Sequence, residues 1–301
     1  MPGLLGESLA ILSALSFALF NIVISGSAGS RGDKGVLFSV VVTIGFSFVL
    51  FLILEAGRLD LTISRNTALG VGYFAMAGTA AMVFGRTLVF DSIRRLGATR
   101  ASAVKRLNPF FSVLLAALFL SEAVTRYDFI GLVIIAIAFG ILIQTSFRKG
   151  QVGSDAPRPI AYMIGAGAAL AYAVSYIFRK TGLNVMDAPA LGTFISALSG
   201  FLGFAIMAAF SARYRPMFTN LFKNIDLHVM AAAVLVSMGQ ILMFAALAYE
   251  KVSTVVMISS LEVFFSIFLA TVVFRTEARP APTILVAAAL AIIGVVLVAS
   301  A

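Results

Sequence analysis

Apolar residues run along this chain in blocks of about 20, each closed by a short stretch of charged or turn-forming residues. At 1.5 Å of rise per residue, a helical block of that length crosses a hydrocarbon core of about 30 Å. The pattern predicts about ten spans, near 4–24, 36–56, 68–92, 99–120, 127–146, 159–179, 189–210, 228–249, 254–274 and 281–299. The expected fold class is therefore an all-α polytopic membrane protein. The first block, from Leu4, has neither a basic leading segment nor a cleavable small-residue end, so it reads as the first helix and not as a signal peptide.

The most polar and turn-rich stretch, RKGQVGSDAPRP, lies between the fifth and sixth blocks. It divides the chain into a first five-helix unit, 1–147, a linker, 148–158, and a second unit, 159–301. The units echo each other. RLNPFFSVLLAALFLSE (106–122) returns as SLEVFFSIFLATVVFRTE (260–277), about half the chain away, with Phe-Phe-Ser and a closing acid in both. ALSFALFN (14–21) matches ALAYAVSY (169–176) at nearly the same offset, and GILI (140–143) matches GVVL (294–297). An odd number of crossings per unit makes the second unit enter from the opposite side. The prediction is two inverted five-helix repeats, an architecture of secondary transporters.

Composition agrees. The chain is 61% hydrophobic and 12% charged, against about 45–50% and 25% for soluble domains. Its net charge of +9 is what cytoplasmic loops rich in Lys and Arg produce, and it does not point to nucleic acid. Those residues fall about twice as often on connections after odd-numbered spans. The even connections hold only Arg58, Arg65, Arg126, Arg179, Lys180 and Lys251. That bias puts the odd connections in the cytoplasm and both termini in the periplasm. There is no Cys, and the single His, His228, lies at a helix start. A metal site, thiol chemistry and a nucleophile–base pair are therefore not expected. The expectation is a protein without enzymatic activity or cofactor. No G-x-x-x-x-G-K-[ST] phosphate loop is present, which excludes ATP-driven pumping through that motif.

Polar side chains inside the spans are costly and need a reason. The helical period gathers them into stripes. The first helix carries Ser13, Ser16, Phe17, Phe20 and Asn21, and its partner, the sixth, carries Tyr172, Ser175 and Tyr176. The two tyrosines lie mid-span, away from interfacial belts, and either line a cavity or bond between helices. The third helix carries Arg86, which either snorkels to the interface or faces a carboxylate substrate; the eighth carries Ser237, Gln240 and Phe244. The fourth places Lys105, Asn108 and Ser112 together, and the ninth Ser259, Glu262 and Ser266. Lys105 and Arg106 read as topology determinants. Glu262, the one acid well inside a span, is expected to be a structural partner of Lys105 or Arg106; the alternative is a proton-coupling site. Pro109 should kink the fourth helix and is a hinge candidate, whereas its counterpart Val263 predicts no kink. The stripes place a cavity between helices 1, 3, 4, 6, 8 and 9, with 2, 5, 7 and 10 outside it. Its candidate substrate-binding residues are Phe17, Asn21, Arg86, Asn108, Tyr172, Ser175, Tyr176, Gln240 and Phe244.

Ten spans in two repeats, each with an L-x-x-F-F-S…E signature on its fourth helix, resemble the drug/metabolite transporter superfamily, and within it the EamA-type exporters. The Leu-Glu-Pro pattern of those exporters is split here: Leu107-Asn108-Pro109 keeps the proline and Leu261-Glu262-Val263 keeps the acid. The chain is most similar to the YddG-type exporters of aromatic amino acids. The resemblance implies a multi-pass protein of the cell inner membrane that acts as a monomer. It would export small metabolites, amino acids foremost, by alternating access, with a small molecule and the lipid bilayer as its partners. The competing readings are a lipid-carrier flippase of the same superfamily and a purely structural membrane subunit.

Overall fold

A computed structural model describes residues 2–25, 34–59, 64–149, 159–212, 214–223, 225–275 and 281–299. Most of the linker, 150–158, and the closing acid of the second echo, Glu277, lie outside the described residues. Ten helices among the described residues are long and apolar enough to cross a membrane. They are α1 (Pro2–Ser25), α2 (Lys34–Leu54), α3 (Arg65–Leu96), α4 (Ala98–Lys105 and Asn108–Phe119), α5 (Arg126–Lys149), α6 (Pro159–Val185), α7 (Pro189–Phe210), α8 (Leu227–Tyr249), α9 (Val252–Val273) and α10 (Pro282–Ala299). Their ends follow local chemistry. Ser64 and Asp226 cap α3 and α8 by accepting from the N–H groups of Thr67 and Val229, and Pro189 opens α7. Large apolar side chains such as Ile53, Phe119 and Phe210 stay exposed, as a bilayer-facing surface requires.

The halves pair in a repeat-symmetric way. α1 packs on α8 and on α9, and its counterpart α6 packs on α3 and on α4. α2 runs along α7, and α5 along α10. These equivalent helices meet antiparallel. Glu55, at the end of α2, reaches the start of α7. In the other pair, Thr145 near the end of α5 lies 3.4 Å from Thr283 at the start of α10. Antiparallel pairing of equivalents is the signature of an inverted repeat. α5 and α10 touch through Gly131 and Gly294, where a methyl on Gly131 would lie 2.6 Å from the Gly294 carbonyl oxygen. Small residues let the two backbones close up.

Two features depart from the sequence expectation. α6 continues past 179 to Val185, so Arg179 and Lys180, assigned above to a connection, belong to the helix. The fourth and ninth helices are both interrupted, although only the fourth has a proline. In α4 the turn is Arg106 N–H to Ala103 O at 3.1 Å and Leu107 N–H to Val104 O at 3.0 Å. In α9 it is Ser260 N–H to Met257 O at 3.1 Å and Leu261 N–H to Ile258 O at 3.0 Å. These are tight i−3 turns. Without a proline, α9 is bent by serines that bond back onto their own helix: Ser259 Oγ donates to Val255 O and Ser260 Oγ to Met257 O. α3 carries a π-helical stretch, Thr79–Gly85, directly before Arg86. Three serines brace the turn ahead of it, donating to its carbonyls: Ser196 to Phe74, Ser199 to Ala75 and Ser175 to Ala77.

Candidate functional site

A cavity of about 690 Å³ lies between the halves. On α1 it is lined from Phe17 to Ile24, on α2 by Val36 and Ser39, on α3 from Ala81 to Ile93, and on α4 from Ser102 to Pro109. On α8 it runs from Val229 to Met243. These parts lie toward the odd-numbered connections, while α6 from Tyr172 to Arg179 and α9 from Val256 to Glu262 line the inner end beyond mid-membrane, so the cavity runs from there toward the odd-numbered side, here called the odd face.

At the opposite, even face, polar ties link the helix ends. The Glu122 carboxylate, just past α4, accepts from the N–H groups of Val252 and Ser253 at 2.7 and 3.1 Å and from Ser253 Oγ at 2.8 Å. It thereby caps α9 and meets its positive dipole end. Glu55, just past α2, caps α7 in the same way through Ala190 and Leu191 at 2.7 and 2.9 Å. Burial, the largest cause, raises the Glu55 carboxyl above its ordinary range, against the lowering by those two N–H donors. Lys180 Nζ donates to the carbonyls of Leu247 and Glu250 at 2.8 and 2.9 Å, fastening α6 to the end of α8. The sequence reading missed all three ties. For the two glutamate ties the visible signal is an acid standing at or just past the end of an apolar run, at Leu54-Glu55 and Leu120-Ser121-Glu122.

Of the residues singled out in the sequence, Phe17, Asn21, Arg86, Asn108, Tyr172, Tyr176, Gln240, Glu262 and Pro109 all line the cavity. Ser175 and Phe244 do not. Ser175 is buried and donates to the Ala77 carbonyl at 2.8 Å. Phe244 is 1% exposed, edge-on to Phe74 with centroids 6.0 Å apart. A stripe read from helical period spans a broad arc, and these two stand at its far edges, against neighbouring helices. The cavity also draws on helices expected to stay outside it: Val36 and Ser39 from α2, and Phe139 from α5. Val36 and Phe139 are apolar and leave no polar trace in sequence.

The lining holds four cations, Arg86, Lys105, Arg106 and Arg179, and one carboxylate, Glu262. Arg86 Nη1 is buried without a hydrogen-bond partner. The Lys105 ammonium stands 5.5 Å from the Tyr172 ring centroid, and the Arg106 guanidinium 5.4 Å from that of Phe139. Lys105 and Arg106, read above as topology determinants, thus face the cavity. Glu262 makes no ion pair with either among the described residues, though Arg106 is within its electrostatic reach. Its Oε1 accepts instead from Asn21 Nδ2 at 2.7 Å, tying the second piece of α9 to α1. Asn108 Nδ2 donates to the Ala169 carbonyl at 3.0 Å, the corresponding tie between α4 and α6. Among the described residues, neither Tyr172 nor Tyr176 gives its hydroxyl a hydrogen-bond partner, which leaves both rings as wall. No group of His, Cys, Asp and Glu among the described residues is placed to hold a metal.

No curated protein matches the chain. A solved crystal structure, described only as that of a protein, is similar over 99% of this chain and 96% of its own, with a TM-score of 0.71 at 17% identity. At that identity the likeness shows the fold alone. The model of the EamA-like transporter family matches residues 4–144 and again 159–300, once for each half, and the chain belongs to that family of membrane transporters.

Proposed function

We propose that this chain is a secondary transporter that exports small metabolites, amino acids with aromatic side chains foremost, across the cell inner membrane by alternating access. The observation that carries the reading is a cavity between the halves, charged and aromatic in its lining, that extends toward one face, while polar ties link the helices at the other. Residues 1–147 and 159–301 are the two moving halves, joined by the linker 148–158, and one chain suffices to build the cavity. The lysine and arginine bias puts the odd face in the cytoplasm. The cavity then faces the cytoplasm, the side from which an exporter loads, and both termini are periplasmic. A reporter that works only in the cytoplasm should stay silent when fused at Ala301; activity there would reverse the orientation.

A zwitterion fits the lining. The cations suit its carboxylate, Glu262 suits its ammonium, and Phe17, Tyr172 and Tyr176 offer a wall to its side chain. Purified protein in liposomes, given a panel of labelled amino acids with and without a pH gradient, tests the reading; failure to move any of them would overturn it. Within that panel Tyr176→Ala separates wall from glue. Stacking on one ring contributes about 0.5–1.5 kcal/mol beyond area burial, so phenylalanine uptake should fall several-fold more than alanine uptake. Equal losses would return Tyr176 to helix packing.

A further inference from the structure

Arg179 is the most unusual charge in the molecule. It sits on the same face of α6 as Tyr172 and Tyr176, seven and three residues further along the helix. It is 3% exposed, yet it lines the cavity. Its guanidinium lies 4.6 Å from the Phe244 ring centroid and 5.5 Å from that of Tyr176, held between two aromatic faces. Its Nε is buried with no hydrogen-bond partner, and among the described residues no carboxylate lies within ion-pair distance. The next residue makes the contrast: Lys180, half-buried, is satisfied by two carbonyls.

A buried charge without a counter-ion is strongly unfavourable, and ring faces offset only part of the lost hydration. The two rings flank the guanidinium carbon, its N–H groups have no hydrogen-bond partner among the described residues, and a guanidinium edge is a rigid fork matched to a planar carboxylate. The same fork can serve phosphate, but the aromatic faces on either side favour a planar group over a tetrahedral one. Glu262 lies in the same lining and spends one oxygen on Asn21, and Tyr176 is within electrostatic reach of both Arg179 and Glu262. Arg179 and Glu262 therefore frame one aromatic ring with opposite charges.

We propose that Arg179, and not the Arg86 singled out by sequence, is the residue that reads the substrate's carboxylate. The assignment rests on the transporter reading above and narrows its substrates to planar carboxylates. The rest of the cationic lining attracts the anion into the cavity, while Arg179 fixes its orientation at the closed end.

The test is binding by calorimetry to the purified full chain in detergent, with phenylalanine, 3-phenylpropionate, phenethylamine and phenyl phosphate as probes. The wild-type chain should bind the two carboxylates at least tenfold more tightly than the amine or the phosphate. Arg179→Gln should weaken both carboxylates tenfold or more and leave the amine unchanged, while Arg86→Gln should cost the carboxylates less. Arg179→Lys, which keeps the charge and loses the fork, should fall between; it also carries the comparison if Arg179→Gln does not fold. A wild-type preference for phenyl phosphate overturns the carboxylate assignment. Parallel losses of acid and amine would reduce Arg179 to a packing residue, and full carboxylate preference in Arg179→Gln would refute the assignment while leaving the transporter reading intact. A wild-type chain that binds none of the probes and moves none of the amino acid panel would remove both.

Discussion

Glu122→Ala should open the even face. The substitution deprives two N–H groups of α9 and the Ser253 hydroxyl of their acceptor. Hydrogen bonds to a charged group are each worth about 1.5–3 kcal/mol, and water entering the gap replaces part of that. A net loss of about 2 kcal/mol shifts a two-state equilibrium by roughly 30-fold toward the even-open form. The chain contains no cysteine, so a single Ala10→Cys on α1, fully buried near the even face, reports access without background. Its labelling by a charged maleimide should quicken tenfold or more when Glu122 is removed. An unchanged rate in a folded protein would show that the Glu122 cap does not hold that face closed.

Glu262→Leu should be the most damaging change in the cavity, at about 2 kcal/mol of stability. It removes the stronger acceptor of the exposed Asn21 amide, which water replaces in part, and leaves four cations with no neutralising group. Glu262→Gln keeps an oxygen for Asn21 and should lose only about 1 kcal/mol, with its response to a pH gradient preserved. Thermal unfolding in detergent and gradient-driven uptake in liposomes separate the cases. A Glu262→Gln protein of normal stability that has lost only the gradient response would make this carboxylate the proton site.

Helix count and duplication were open to inspection in the sequence because both are periodic properties. A span is a run of about 20 apolar residues, and a repeat is an offset shared by several phrases. The cavity was harder. The helical period points to Tyr172 and Tyr176 and also reaches Arg179, but in sequence the Arg179-Lys180 charge pair reads as a helix end. Charge marks a helix end only where the side chain reaches water, and Arg179 has two aromatic rings instead. The break in α9 stayed hidden because its breakers are serines bonding to their own backbone, and serine is common in unbroken helices too. Val36 and Phe139 were hidden for the opposite reason, since an apolar residue that faces a cavity is spelled like one that faces lipid.

The Gly131–Gly294 contact has a consequence for the order of assembly. α5 enters the membrane with its glycine strip bare, and the strip it must meet belongs to α10, five spans later. Until that span is inserted, lipid or another helix covers Gly131, and the nascent first half carries an unfilled groove along its flank. The seam between α5 and α10 thus closes only once α10 is in place, after α6, α7 and α8 have already packed on the first half. A bulky residue at Gly294 would act late, arresting a chain whose first nine spans are already in the membrane, and the arrested form would be recognisable by a protease-sensitive α10.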